Sequence, residues 1–454
     1  MAEVADRKRA VLVPLALAQF ICSFAGSNMN VMITDISVDL GTTVQGVQVT
    51  ITVFLLVMAA LMIPGGKVTD RLGRKRCFVA GLAVYAVGAV LSALAPGLGV
   101  LILGNSILEG VGTALLIPPV YILATVLFPA AAARARAFGA IMAMGGIGAA
   151  AGPLIGGLIS SALSWRAAFV FQALVIVVIL LLSRSIRDPL PPDPTRAADT
   201  GGAVLSAAGL VLLVSGILLA GKNIWLTCGL LVLSGVTLVG FYRWVRHRER
   251  TGREPLLPTG IFRHRAANLG LITQNAQWLL LMGTAFVVAT YLQVVRGYDA
   301  IRTGVVFTAA TAGLLTSSLA AERFATRRSR RTLITTGFVV TTGGIAVLLA
   351  LGGASGWACV PGLLLIGLGL GVMLTPSVDL VQSSFPEDWQ GAISGVSRSV
   401  SNLGSALGTA VAGTILIADP AGHGYVVAMV ALGVVGLVGV TTALLLPRQE
   451  VSRT

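Results

Sequence analysis

Fourteen apolar runs dominate this chain and leave it few ways to fold. Each is long enough to cross a hydrocarbon core of about 30 Å as a helix of about 20 residues. In lipid the backbone has no water to bond, so a spanning segment must satisfy its own N–H and C=O groups, which a helix does. The runs lie near 11–35, 45–64, 77–95, 98–125, 137–161 and 165–183, then 202–221 and 223–243, then 267–293, 302–321, 332–351, 357–381, 390–417 and 425–446. At 56% hydrophobic and 11% charged, a chain of 454 residues has too little polar surface to coat a soluble globule of its size. The expected fold is all-α and polytopic, with fourteen transmembrane helices.

The charges indicate how those helices are threaded. Lysine and arginine total 32 against 18 acids, a net +14, and they are dealt out in clusters between the apolar runs. No single basic face forms, which argues against a nucleic-acid partner. Basic loops stay in the cytoplasm during insertion. With the N-terminus inside, Arg166, Lys222, Arg296 and Arg302 fall outside, Arg398 falls within a helix, and every other base is cytoplasmic. An even number of spans puts both termini in the cytoplasm, and the expected site is a bacterial plasma membrane. The first run is longer than a signal-peptide core of about 7–15 residues, so it reads as a retained helix.

A linker with Pro189, Pro191, Pro192 and Pro194 ends the first bundle, since proline cannot continue a helix interior. The chain divides into a six-helix bundle (1–183), a cytoplasmic linker (184–201), a two-helix insert (202–243), a basic cytoplasmic linker (244–266), a second six-helix bundle (267–446) and a cytoplasmic tail (447–454). Cys22, Cys77, Cys228 and Cys359 have neither paired spacing nor histidine neighbours and read as reduced packing residues, with no metal site. His247, His264 and His423 sit in predicted loops, and there is no phosphate-binding glycine loop. The chain therefore reads as no enzyme, driven by a proton gradient rather than a cofactor, with the bilayer and a small molecule as its partners. Trp165, Trp225 and Trp357, at span ends, read as interfacial anchors.

Each bundle has a short basic loop after its second span, Lys67 to Arg76 in one and Glu322 to Arg331 in the other. Parallel repeats of this kind place a cavity between two halves that rock. The stretch Gly66-Lys67-Val68-Thr69-Asp70-Arg71-Leu72-Gly73-Arg74-Lys75-Arg76 resembles the loop signature of the major facilitator superfamily, G-x-x-x-D-R-x-G-R-K/R. Bases alone would anchor the loop; Asp70, Gly66 and Gly73 exceed that need. The resemblance implies a conformational latch of Gly66, Asp70, Arg71, Gly73, Arg74 and Lys75. Its Asp70 is expected to meet the start of span thirteen near Gln390, where free N–H groups favour negative charge. In span five, Gly148, Gly152, Pro153, Gly156 and Gly157 are similar to the antiporter motif that marks exporters in that superfamily, and also suit a tight helix crossing. Glu254-Pro255-Leu256-Leu257-Pro258 and Gly391-Ala392-Ile393-Ser394-Gly395 resemble segments of the fourteen-helix drug:proton antiporters. The resemblance implies two six-helix bundles with two helices between them. It further implies a monomer that exports drugs, antibiotics or related amphipathic metabolites by proton antiport and alternating access.

The chain departs from that family at its polar positions. Ala25 stands where the family carries an aspartate, Asn105 where it carries an arginine and Ser401 where another arginine is common, with Arg398 three residues earlier. Glu109 lies roughly 16 Å into span four at 1.5 Å per residue. A carboxyl at that depth must be protonated or meet a cation, and intramembrane acids are functional by default. It reads either as the proton-coupling group or as a neutral structural partner of Asn105. Arg398 either binds an anionic substrate, pairs with Glu109 or Asp35, or snorkels to the membrane edge. Asp35 suits a solvated rim, whereas Asn28 and Asn30 suit the cavity. Gln274, Asn275, Gln277 and Trp278 suit ligand contacts or interhelical hydrogen bonds. Two alternatives stay open: a dedicated exporter of one metabolite, anionic if Arg398 is its counter-charge, and a transporter-like sensor without flux.

Overall fold

A computed structural model describes residues 2–128, 131–186, 188, 192, 199–220, 223–325, 328–351, 355–385, 390–419 and 423–447. The described residues form helices and no strands. The six helices of the first half are α1 (Ala2–Asn28), α2 (Val44–Leu72), α3 (Arg74–Ala93), α4 (Leu98–Leu127), α5 (Ala131–Ala162) and α6 (Trp165–Leu182). Two more follow, α7 (Thr200–Leu218) and α8 (Ile224–Arg250). The second half holds α9 (Arg265–Val295), α10 (Ala300–Ala325), α11 (Arg330–Leu351), α12 (Cys359–Gln382), α13 (Gln390–Ala418) and α14 (Gly424–Leu444). Thirteen of these are straight enough, long enough and apolar enough to cross a membrane, and the bent α5 makes fourteen, as expected.

Within the first half α1 packs on α5 and α6, and α3 lies between α4 and α6; in the second α9 packs on α12, α13 and α14, and α12 on α10 and α11. The halves meet along two seams, α2 against α13 and α5 against α10. α7 covers the first seam, touching both α2 and α13, and α8 lies outside it with Val232, Val236 and Val239 exposed as lipid-facing residues would be. One face of the bundle carries the start of α1, the α2–α3 turn, the end of α8 and Arg330, and is called the basic face below.

The α1–α5 crossing is close because it is built on glycine. A methyl on Gly148 would collide with the carbonyl of Phe20, one on Gly152 with the Ser27 hydroxyl, and one on Gly156 would press on Asn28. On the other side of α5, Gly157 meets the Ala300 carbonyl and the Pro153 carbonyl meets Gly304. α5 bends by 42° between Ala149 and Ala151, where Pro153 removes the hydrogen bond to the carbonyl four residues earlier.

Three expectations change. The loop from Gly66 to Arg76 is almost wholly helical: α2 runs to Leu72, α3 starts at Arg74, and the turn is Gly73 alone, at φ 95°, which favours glycine. The predicted basic linker from 244 is helical to Arg250, so His247, Arg248 and Arg250 lie in the last turn of α8, where the dipole favours cations. Trp165 is packed at 3% exposure, its indole donating to Asp39 at 3.0 Å, so it differs from Trp225 and Trp357, which are exposed. Most of the proline-rich linker, and the 448–454 part of the tail, lie outside the described residues.

Candidate functional site

The polar core of the first half is set by a change of helical pitch. α4 is α-helical over Leu98–Leu101, widens to a π-helix over Ile102–Glu109 and returns to α from Gly110. Such widened turns recur at functional sites. Gly88 and Gly104 let α3 and α4 touch there; a methyl on Gly88 would meet the Gly104 carbonyl and Cγ of Glu109. Glu109 is fully buried, and its Oε2 accepts from Asn105 Nδ2 at 3.2 Å. Tyr85 and Ser92 stand beside the carboxyl but donate elsewhere, to Gln172 Oε1 at 2.6 Å and the Gly88 carbonyl at 2.9 Å. Glu109 Oε1 and Asn105 Oδ1 are thus left without a hydrogen-bond partner among the described residues.

Between the halves lies a cavity of about 60 Å³. That is room for a few waters, far short of the roughly 300 Å³ or more that a drug-sized ligand needs. Gln19, Cys22 and Ser23 of α1 and Met58 and Met62 of α2 face Trp278 and Met282 of α9 and Arg398, Ser401 and Asn402 of α13. On the basic-face side Arg398 closes it, reaching across to the Tyr121 hydroxyl, with its guanidinium 5.0 Å from that ring and 3.5 Å from Met142 Sδ. Tyr121 in turn donates to Gln19 Oε1 at 3.0 Å. On the other side Gln293 ties the halves, donating to the Asn30 carbonyl at 2.8 Å and accepting from the Thr34 N–H at 3.1 Å. Gln48 Nε2 donates to the carbonyls of Thr409 and Ala410 at 3.0 and 3.1 Å.

Of the predicted site residues, Arg398 and Trp278 line this cavity. Glu109 and Asn105 sit one layer behind it: the thiol of Cys22, in the wall, contacts the Thr113 hydroxyl, which donates to the Glu109 carbonyl at 2.8 Å. Arg398 forms an ion pair with neither predicted acid, because Glu109 takes Asn105 and Asp35 Oδ2 accepts from Ser160 at 2.5 Å. Asp35 belongs to a short helix, Ile33–Asp39, braced on α5. Asn28 and Asn30 are buried but not in the cavity wall; Asn28 has no side-chain partner among the described residues, and Asn30 donates to the Ser27 carbonyl at 3.4 Å. The α9 patch divides. Gln274 and Gln277 donate to Ser377 at 2.9 and 2.5 Å, Ser397 donates to Gln274 at 2.6 Å, and Asn275 donates to the Val400 carbonyl at 2.9 Å. These are interhelical bonds.

In the latch segment, Asp70 pairs with Arg74 one turn on, at 3.4 Å. Its expected meeting with α13 near Gln390 falls outside the described residues, which lack the side chains from 386 to 391. The acid at a helix start here is Asp188, which accepts from the N–H groups of Arg74 and Lys75 at 2.7 and 3.3 Å. Lys67 pairs with Glu254 at 2.5 Å, joining α2 to the segment before α9. Sequence reasoning missed Tyr121, Gln293 and Asp199. Asp199 caps α7, accepting from Gly202 N–H at 2.9 Å, from Trp244 Nε1 at 2.9 Å and from Leu256 N–H at 2.8 Å, with Arg248 at 3.6 Å. Its one legible signal was an acid just before a glycine-led apolar run, a capping position.

Residues 15–409 match the Major Facilitator Superfamily. The puromycin resistance protein pur8 of Streptomyces alboniger is 32% identical over 412 residues, covering 89% of this chain and 81% of that protein. The multidrug efflux pump LfrA of Mycolicibacterium smegmatis is 30% identical over 370 residues, 81% of this chain and 73% of that protein. A POT family transporter in complex with a thioalcohol-conjugated peptide shares the fold, with a TM-score of 0.72 at 15% identity over 95% of this chain and 94% of that one. Two helical bundles around a small cavity, a family match along most of the length and relatives at this identity agree: the chain belongs to the Major Facilitator Superfamily, as a multi-pass transporter similar to antibiotic and multidrug efflux proteins.

Proposed function

We propose that this protein exports small amphipathic molecules in exchange for protons, by alternating access at the cavity between α1, α2, α9 and α13, with Glu109 as the proton-carrying group. One observation supports the reading above the others: Glu109 is fully buried with a neutral amide as its hydrogen-bond partner and one oxygen unpartnered. Holding an ionised carboxylate there without a cation costs several kcal/mol, so proton uptake and release belong to different states of the surrounding wall. Cys22 and Thr113 separate it from the cavity by one side-chain layer, thin enough for a change in hydration on one side to reach the other. The names of the relatives, an antibiotic resistance protein and a multidrug efflux pump, support export as the direction and drug-like molecules as the cargo.

In this reading the protein works as a monomer in the bacterial plasma membrane, with the basic face and both termini cytoplasmic, and a proton gradient in place of a cofactor. The moving units are the bundles 1–183 and 267–446, with 202–243 riding at their seam. Gly66, Asp70, Arg71, Gly73, Arg74 and Lys75 bias the exchange between states, and the α5 glycines keep the first bundle sealed while it moves. The test is flux in reconstituted vesicles under an imposed pH gradient. Wild type moves a fluorescent substrate and takes up protons; Glu109→Gln, at normal expression and folding, does neither. Full gradient-driven flux in that variant would overturn the assignment of Glu109.

A further inference from the structure

The cavity wall carries one charged side chain, Arg398, and no carboxylate among the described residues. Everything Arg398 touches is neutral: the Tyr121 hydroxyl and ring and the Met142 thioether. Ala25, at the position where the family resemblance implies an aspartate, is packed in the apolar core at 3% exposure. Glu109 faces Asn105 behind the wall, and Asp35 faces Ser160 toward the opposite face. The half-buried Arg398 guanidinium thus stands in the wall as a cation with no carboxylate facing it among the described residues. A bound cargo could supply the anion that completes the pair. Beside Arg398 the wall offers Trp278, Met58, Met62 and Met282, a flat indole and three polarisable thioethers. Those groups pack well on aromatic rings.

We infer that the cargo of this cavity is an aromatic organic anion, whose acidic group replaces Tyr121 on Arg398 and whose rings lie against Trp278 and the methionines. The inference rests on the reading of the cavity as the transport site. It sets the charge moved in each cycle. A monovalent anion leaving as one proton enters carries two positive charges inward, whereas a monovalent cation exchanged for one proton carries none. Breaking the Arg398–Tyr121 contact also opens the basic-face side of the cavity, so the same ion pair that selects the cargo admits it.

The test uses two dyes with one ring system and opposite charge, fluorescein methyl ester as the anion and rhodamine 123 as the cation, in vesicles reconstituted with the full chain. Under a pH gradient the ester moves faster by roughly tenfold or more, since one unit charge at contact in a poorly screened site is worth at least that factor. An added potassium diffusion potential, negative on the side the dye leaves, speeds the ester further. Arg398→Gln brings the ester down to the rate of rhodamine 123, Arg398→Lys keeps the preference, and Arg398→Glu reverses it. Thermal unfolding in detergent checks that each variant is folded, and the two dyes on wild type decide the matter if one is not. Transport of rhodamine 123 with no movement of the ester would overturn the charge assignment and leave export standing. If neither dye moves under any gradient, the transport site and this inference fall together.

Discussion

The two halves bury different polar groups: the first a carboxyl, Glu109, the second only neutral amides and hydroxyls among the described residues. In the second half the neutral side chains of Gln274, Gln277, Ser377 and Ser397 are linked in two pairs at 2.5 and 2.6 Å, with Gln274 also on the Ser377 carbonyl at 2.9 Å and Gln277 Oε1 left open. In the first half Glu109, Asn105 and Asn28 are as deeply buried, yet each keeps at least one oxygen or nitrogen without a partner. A satisfied network holds one structure; an unsatisfied one is stable only until water, a proton or a ligand arrives. The α9–α12–α13 set is therefore glued, and the pocket around Glu109 is poised. Span number and length are alike in both, so the difference lies in the placement of single side chains.

The sharpest way to break this comparison is Glu109→Gln, which is expected to reduce proton-driven flux to that of protein-free vesicles. Stability should stay within about 1 kcal/mol or rise, because a neutral amide replaces a group that is costly to bury charged. Thermal unfolding beside the flux assay checks both. Gln274→Ala should do the reverse, costing about 1–3 kcal/mol of stability by leaving the buried Ser397 hydroxyl without its acceptor and removing a donor from the Ser377 carbonyl, while flux per folded molecule persists. If it instead removed flux without loss of stability, the glued set would be a working site.

Gln293→Ala cuts both hydrogen bonds that tie α9 to the Asn30–Thr34 segment. A loss of about 1.4 kcal/mol changes a two-state population by about tenfold. In a variant whose sole cysteine is Cys22, which lines the cavity, labelling by an impermeant maleimide from the side of the opposite face should rise several-fold.

The smallest expected effect is at the rim. The Arg166 guanidinium, and then Trp165, hydrogen-bond to Asp39 and hold its carboxyl below the ordinary 3.8. A lowered folded-state value means that the ionised form favours folding, so this contribution is complete above the unfolded value and is lost as pH falls through the folded one. Asp39→Asn should lower the melting temperature by a degree or two at most at neutral pH, in keeping with an exposed ion pair. The gap to wild type should close below about pH 3.8. A gap that persisted in acid would place the effect in packing rather than charge.

Much of this was legible in the residues themselves. Apolar run length located every span, because the thickness of a bilayer leaves little latitude, and burial at mid-membrane marked Glu109 and Arg398 as the groups to watch. What could not be read was the direction in which a side chain faces. Gln274 and Trp278 are four residues apart on one helix, yet one bonds a neighbouring helix and the other lines the cavity, a difference set by where α12 and α13 cross α9. Pitch was equally hidden: the π-helical turns that carry Asn105 and Glu109 lie where α3 and α4 make close contact at Gly88 and Gly104. The latch segment misled for a related reason. Its charges suggested a loop, but the helices continue through them and stop only at Gly73.

Asp199 gives the two additional helices their mechanics. Every hydrogen bond that joins α7 and α8 to the rest of the chain, among the described residues, lies near this carboxylate: Leu256 on Asp199, Arg248 on the Glu254 carbonyl, and Glu249 under Thr259. At the far end Asn223 caps only its own helix. The pair is thus a leaf spring clamped at one end and laid over the α2–α13 seam. In the proposed exchange between states its free end would follow the seam, screening the gap from lipid tails without a bond being broken at each stroke.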